Sequence, residues 1–169
     1  MTVRKARFQD VPGIHRLVSH YAAERLMLPR PLGDIYENVW EFTVAEEEGR
    51  VVGCGALRLY SNELAEIRSL CVDASLKSRG IGKQMVEELL HEAKVLGLQT
   101  VFALTIAPAF FEKLGFRHTP REKFPDKVWQ DCLRCALYSC CNETALSVDL
   151  VDWSSKARET ALEAAQVSI

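Results

Sequence analysis

The sequence predicts an α/β (α+β) fold built on a mixed, mostly antiparallel sheet flanked by helices. Three stretches carry that expectation. Glu66 to Val72 is a strand pattern whose apolar members are Ile67, Leu70, Cys71 and Val72, and it passes through a polar turn into a helical run from Lys83 to Leu96. Trp40 to Glu46 and Arg50 to Tyr60 read as two strands, closed into an antiparallel hairpin by Glu46-Glu-Glu-Gly49. Thr100 to Ile106 supplies a further strand after the helix.

Each element has a local reason. Thr2 to Arg7 is a short strand pattern. Asp10 stands where an N-cap belongs, ahead of a helix with Pro12 in its first turn and Ile14, Leu17, Val18 and Tyr21 on its inner face. His15 and His20 ride on that helix as surface or packing residues. In Leu26-Met-Leu-Pro-Arg-Pro-Leu-Gly33 a proline restricts the chain on either side of Arg30, so a guanidinium stands on a stiff loop, which suits anion recognition. The other reading of Arg30 is an ordinary solvated loop residue. In the second hairpin strand the two-residue period puts Val52, Cys54, Ala56, Arg58 and Tyr60 on one face. Arg58 interrupts that apolar face and needs a carboxylate, from the protein or from a substrate. The same period sets Glu66, Arg68 and Leu70 on one face of the next strand, as an ion pair or as working groups. On the long helix Ile81, Met85, Val86, Leu89, Leu90, Ala93 and Leu96 form one apolar stripe, and Gly97 stands where a left-handed C-cap belongs.

A chain of 169 residues, 48% hydrophobic, can bury one core and is short for two domains. The expected organisation is one domain over residues 1–150 and a helical or mobile tail over 151–169. A net charge of -2 exerts no general pull toward nucleic acid or membrane, so neither is expected as a partner. No run approaches the roughly 20 apolar residues that span a bilayer, and the first seven residues lead into no apolar signal-peptide core, so a cytoplasmic location is expected. In that setting the six cysteines read as reduced thiols or ligands. Cys54 and Cys71 lie in strand patterns and read as core thiols. Cys132, Cys135, Cys140 and Cys141 are weak zinc candidates, because they hold one C-x-x-C where the strong pattern has two, and no metal is expected.

Lys77-Ser-Arg-Gly-Ile-Gly82 joins strand to helix. Two glycines at a helix opening let backbone approach a ligand, and the unpaired N–H groups of the first turn sit at the positive end of the helix dipole. That arrangement suits a phosphate or pyrophosphate, with Lys77, Arg79 and Lys83 around it. Neither Gly-x-Gly-x-x-Gly nor Gly-Lys-Ser/Thr is present, so the Rossmann and P-loop patterns do not fit.

The stretch resembles the acetyl-CoA-binding motif of the GNAT N-acetyltransferases, Gln/Arg-x-x-Gly-x-Gly/Ala, here Lys77-x-x-Gly80-x-Gly82. Lysine at the first position keeps the charge and loses the planar fork of arginine. The resemblance runs from about Thr2 to Phe116. It implies the GNAT acyl-CoA N-acyltransferase fold, with acetyl-CoA as co-substrate. By the same resemblance the cofactor is held by Lys77, Ser78, Arg79, Gly80, Ile81, Gly82 and Lys83, and by backbone groups of Leu70, Cys71 and Val72. There the strand bulges and splays from the 100–106 strand, and a backbone N–H aims at the thioester oxygen. Glu66, fourteen residues before Gly80, resembles the general base of many GNAT enzymes. An α-amine is mostly protonated at neutral pH, so a base is needed. Phe110 to Phe116 resembles the signature Phe-Tyr-x-x-x-Gly-Phe, with Phe111 replacing the tyrosine that can protonate the CoA thiolate. Thiolate protonation then falls to solvent or another group, and Phe111 is expected to pack near the cofactor's sulfur.

A narrower resemblance rests on residues 55–60, 65–72, 101–105, 111–116 and 127–132, which are similar to short ArgA-type N-acetylglutamate synthases lacking an amino-acid-kinase domain. It implies acetyl transfer to the α-amine of L-glutamate, the entry step of arginine biosynthesis. Two substrate carboxylates need at least two cations, preferably arginines. The resemblance assigns them to Arg30, Arg58 and Lys127, with Arg68 as a fourth candidate. Two alternatives stay open: a GNAT enzyme acting on another small amine or a protein N-terminus, and a CoA-binding regulatory module without turnover. Ser155 to Val167 is a helix pattern that either docks on a partner subunit, as in a homodimer, or stays mobile.

Overall fold

Among the described residues seven strands, numbered along the chain, form one sheet in the order β1-β2-β3-β4-β5-β7-β6. The computed structural model describes residues 1–153, the side chains at 128 and 129 excepted. The tail helix expected over 155–167, and its docking on a second subunit, lie outside the described residues. The strands are β1 (Thr2–Lys5), β2 (Phe42–Glu47), β3 (Arg50–Leu59), β4 (Leu64–Val72), β5 (Thr100–Thr105), β6 (Arg117–His118) and β7 (Thr144–Asp149). Every neighbouring pair is antiparallel except β4 and β5, which run parallel. The sheet is thus mixed and mostly antiparallel, as expected.

Helices cover both faces. On one face α1 (Val11–Ala23) and α2 (Leu32–Glu37) bury Ile14, Leu17, Val18, Tyr21 and Ile35 against Phe42, Val44, Cys54 and Ala56. On the other, α3 (Ile81–Val95) buries Val86, Leu89, Leu90 and Ala93 against Leu57, Ala65, Ile67 and Val101. Each fully buried leucine there stabilises the fold by roughly 1.5–3 kcal/mol. A Cβ at Gly55 would come within 3.0 Å of Leu70 Cδ1 and 3.2 Å of Leu89 Cδ1, so the missing side chain lets α3 settle close to β3. Two short helices, α4 (Pro108–Glu112) and α5 (Pro125–Gln130), follow β5 and β6. Among the described residues no helix is long and apolar enough to cross a membrane.

Local expectations needed five corrections. The first strand stops at Lys5, and Asp10 does not cap α1; its carboxylate accepts from the Arg7 N–H at 2.7 Å and from the Arg4 guanidinium at 2.7 and 3.0 Å. Leu96 leaves the apolar stripe. The helix ends at Val95, Gly97 turns left-handed at φ +78°, and Leu98 folds back beneath it with its N–H on Ala93 O, while Leu96 is 54% exposed. The other two corrections come from bulges. Between β2 and β3, Ala45 pairs with Gly53 and Glu46 with Val51, which leaves Val52 unpaired and turns it toward Ile81 and Met85, away from the face of Cys54 and Ala56. Between β3 and β4, Cys54 pairs with Cys71 and Ala56 with Arg68, so β4 carries an extra residue, and Ser69 takes φ +52°. Leu70 consequently packs toward α3 and does not share the face of Glu66 and Arg68.

The parallel pairing of β4 with β5 opens the sheet at its centre. It covers Leu64, Ala65 and Glu66 opposite Thr100, Val101 and Phe102, and ends there. Beyond Glu66 the two strands diverge.

Candidate active site

The gap between the diverging strands is a cleft of about 1510 Å³. That exceeds the roughly 300–1,000 Å³ of a site for one small ligand and leaves room for two substrates. One end is lined by the loop leading into α3, the other by the carboxylates and cations around Glu66.

At the first end Ser78 and Gly80 both have positive φ, +69° and +78°, which swings the loop so that α3 opens onto the cleft. The first helical bond there runs from the Gln84 N–H to Gly80 O, so the amides of Ile81, Gly82 and Lys83 lack an intrahelical partner. Those residues, with Lys77, Ser78 and Gly80, border the cleft, and this donor set fits a pyrophosphate. Lys77 also lies 5.0 Å from the Tyr21 ring centroid. Arg79 is turned away: it does not border the cleft, and its guanidinium meets Glu47 at 3.0 and 3.2 Å on the surface.

The bulged end of β4 forms one wall. Leu70, Cys71 and Val72 border the cleft, and the Tyr21 hydroxyl donates to Val72 O at 2.6 Å, tying α1 to the strand. Cys71 Sγ lies 3.5 Å from Cys54 Sγ. Hydrogen bonding to Cys71, then burial, pushes the Cys54 thiol well above its usual range, so it stays protonated. Phe111 is 5% exposed, packs edge-on against Phe110 and Phe116, and borders the cleft.

At the other end ion pairs assemble from α2, β3, β4, α5 and the loops beside them. Glu66 is 3% exposed, and its Oε2 accepts from the Tyr60 hydroxyl and from Lys127 Nζ, each at 2.9 Å. Lys127 Nζ also donates to Asp131 Oδ2 at 3.0 Å, and the Tyr60 hydroxyl, with one proton for the two, lies between Glu66 Oε2 and that same Asp131 oxygen. Glu41, 7% exposed, is shared by Arg58 on Oε1 at 2.9 Å and Arg68 on Oε2 at 3.0 Å. The protein therefore supplies the carboxylate that Arg58 required. Arg30 pairs with Asp34 one helical turn away. Three guanidinium nitrogens, Arg30 Nη2, Arg58 Nε and Arg68 Nε, are nonetheless buried without a partner; the fourth such side-chain atom among the described residues, Thr43 Oγ1, sits in β2.

These charges set one another's protonation. Burial opposes the charge on Lys127, but Glu66 and Asp131 outweigh it and hold the ammonium above its usual range. Burial likewise opposes ionisation of Asp131, and the Tyr60 hydroxyl, Lys127 and Arg68 overcome it, keeping its carboxyl below the usual range. Burial, then the charge of Glu66, drives the Tyr60 hydroxyl far up, so it stays a donor. Glu143, across the cleft, is pushed up by burial and by Glu66.

All four expected acceptor cations, Arg30, Arg58, Arg68 and Lys127, thus border one end of the cleft with Glu66. Glu41, Tyr60 and Asp131 were not singled out from the sequence. For Asp131 a signal existed, since Lys127 and Asp131 are four apart and share a helix face. For Glu41 the signal was the unmet charge of Arg58. The cysteines do not converge: Cys132 is buried, Cys141 Sγ accepts from Arg121 at 3.3 Å, and among the described residues no three His, Cys, Asp or Glu side chains gather to hold a metal.

Comparison with known proteins agrees with this geometry. The family described as acetyltransferase (GNAT) domain matches residues 38–118. An uncharacterized N-acetyltransferase of Chlorobaculum tepidum is 39% identical over 144 residues, 85% of this chain and 93% of that protein. An amino-acid acetyltransferase of Mycobacterium tuberculosis is 46% identical over 135 residues, 78% of this chain and 77% of that protein. Among solved structures, a Mycobacterium tuberculosis protein crystallised in complex with CoA superposes with a TM-score of 0.76 at 34% identity, covering 88% of this chain and 99% of that one. The N-acetylglutamate synthase of Neisseria gonorrhoeae, complexed with coenzyme A and N-acetyl-glutamate, superposes with a TM-score of 0.81 over 88% of this chain and 35% of that one. At 23% identity that last likeness speaks to the fold.

Proposed function

The chain belongs to the GNAT acetyltransferase family, and from that premise we propose that it transfers the acetyl group of acetyl-CoA to the α-amine of L-glutamate, with Glu66 as general base. The observation that carries the acceptor is the set of buried, unpartnered guanidinium nitrogens at Arg30, Arg58 and Arg68 along one end of the cleft. Leaving a buried donor unmet costs about 1–3 kcal/mol, and more when it is charged. A carboxylate matches a guanidinium in shape and charge. Two carboxylates, as in glutamate, would use more of these donors than one. The relative that is 46% identical is named an amino-acid acetyltransferase, which supports an amino acid as acceptor. On this reading the enzyme catalyses the entry step of arginine biosynthesis.

Acetyl-CoA supplies the acetyl group already activated as a thioester. The 77–83 loop would hold its pyrophosphate through backbone amides and Lys77. The acceptor arrives as an ammonium and must lose a proton before its nitrogen can attack. Both hydrogen bonds to Glu66 fall on Oε2, so Oε1 is the oxygen available to take that proton, directly or through water. Tyr60 stays protonated and acts on Glu66 only as a donor.

The experiment is CoA release from acetyl-CoA with each of the twenty amino acids as acceptor, Glu66→Gln protein being run in parallel. Turnover with glutamate alone, lost in the variant, is expected. Turnover led by another amine would discard glutamate, and CoA binding without turnover would point to a regulatory module.

A further inference from the structure

Lys127 is the only cation among the described residues that bonds the proposed base. An ammonium and a phenol on one oxygen fix the way that carboxylate is turned. The cleft end therefore holds the base and, 2.9 Å from it, the group that restrains it.

We propose that Lys127 couples acceptor recognition to catalysis: its ammonium holds Glu66 until the acceptor's α-carboxylate takes it over, which frees Glu66 to accept the amine's proton. This deepens the reading above and rests on Glu66 as base and an amino acid as acceptor. The α-amine and α-carboxylate of an amino acid are attached to one carbon. An amine that reaches Glu66 must bring its carboxylate to within a few ångströms of Lys127. An ammonium has three donors, and Lys127 spends one on Glu66 and one on Asp131. The third can meet the incoming carboxylate before the bond to Glu66 breaks.

Asp131 is the positioning residue of this exchange. Its Oδ2 lies 3.0 Å from Lys127 Nζ, so the ammonium keeps one anchor when it leaves Glu66. Asp131 is in turn held by the Tyr60 hydroxyl and faces Arg68 Nη1 at 3.8 Å. No proton leaves Lys127. The first proton lost by the acceptor's ammonium passes to Glu66 and then to solvent; the nitrogen's lone pair forms the C–N bond as the thioester C–S bond breaks, CoA leaves as its thiolate, and the second nitrogen proton goes to solvent or to that thiolate. An amine without an α-carboxylate can enter the cleft, but it leaves Glu66 paired, so discrimination against it falls on kcat as well as KM.

The test compares L-glutamate with L-glutamate α-amide in the native enzyme and in Lys127→Met, with Lys127→Arg retaining the charge. In the native enzyme the α-amide should lose roughly tenfold or more in kcat, part of the ~10²–10⁴-fold that a positioned general base typically contributes. In Lys127→Met the kcat ratio of the two substrates should shrink to within about threefold, and in Lys127→Arg it should persist. Comparing ratios between proteins cancels the different basicities of the two amines. A loss confined to KM in the native enzyme overturns the proposal even if Lys127→Met does not fold, as does a ratio unchanged in Lys127→Met. Absence of turnover with any amino acid would instead overturn the underlying reading, so the two failures are distinct.

Discussion

Two ion-pair networks in this protein are built from the same residue types and end differently. Outside the cleft, Arg4 places Nε on Glu46, Nη1 on Asp10 and Lys5 O, and Nη2 on Asp10 and Glu46. Every guanidinium nitrogen has a partner, and the result ties β1, the turn before α1 and β2 together. At the cleft, Arg58 and Arg68 divide one carboxylate, Glu41, and each keeps a buried nitrogen unmet. Both carboxylates at the centres, Asp10 and Glu41, are under 10% exposed, at 5% and 7%. Burial alone does not separate them. What separates them is closure: a satisfied network holds the chain, whereas an open one sacrifices stability to retain hydrogen-bonding capacity for a ligand.

The strongest way to break this contrast is at the proposed base. Glu66→Gln should lower kcat by about 10²–10³, the usual scale of general-base catalysis, and should also lower the melting temperature, because the buried Lys127 ammonium loses one of its two carboxylates. A CoA-release rate near native would remove Glu66 from the chemistry. Arg58→Ala comes next. Losing a charge-assisted contact of about 1.5–3 kcal/mol should raise the KM for glutamate roughly tenfold or more and leave that for acetyl-CoA nearly unchanged. Equal effects on both substrates would sink the assignment of this end to the acceptor.

Asp10→Asn sharpens the contrast from the closed side. It should cost about 2 kcal/mol, seen as a fall of roughly 4–8 °C in melting temperature, with both KM values retained. The pH dependence has a definite sign. The hydrogen bond from Arg4 holds the Asp10 carboxyl below its ordinary 3.8, so the stabilisation is complete above that pH and disappears as pH falls through the lower folded value. Melting curves of native and Asp10→Asn protein should therefore converge in acid and separate near neutrality. The smallest effect is expected at Arg79, whose charge is met by Glu47 on the surface. Arg79→Ala should change the KM for acetyl-CoA by less than about threefold, since exposed pairs contribute little, and Lys77→Ala should change it more.

The hairpin, the 81–95 helix and its Gly97 cap were legible because each rests on a period or a turn residue within a few positions. Val52 and Leu70 were assigned to the wrong faces because a bulge is a property of two strands in register, and no single strand announces it. Asp10 met the pattern of a cap, yet a nearby guanidinium competed successfully for its carboxylate. At the site, Arg30, Arg58 and Arg68 stood out as charges on a stiff loop or a strand face and Lys127 through the family resemblance, while their partners Glu41, Tyr60 and Asp131 did not.

By itself the sequence determined the local devices: the apolar stripes, the left-handed glycine at 97, and the basic, glycine-containing loop opening onto a helix. Only the tertiary structure decided which carboxylate meets which cation. Residues 41, 58, 66, 68, 127 and 131 come together because β4 leaves β5 beyond Glu66 and α5 lies where its Lys127 and Asp131 reach that opening. Coulomb energy and hydrogen-bond geometry depend on distances across the fold, and such distances are fixed by packing rather than by local periodicity.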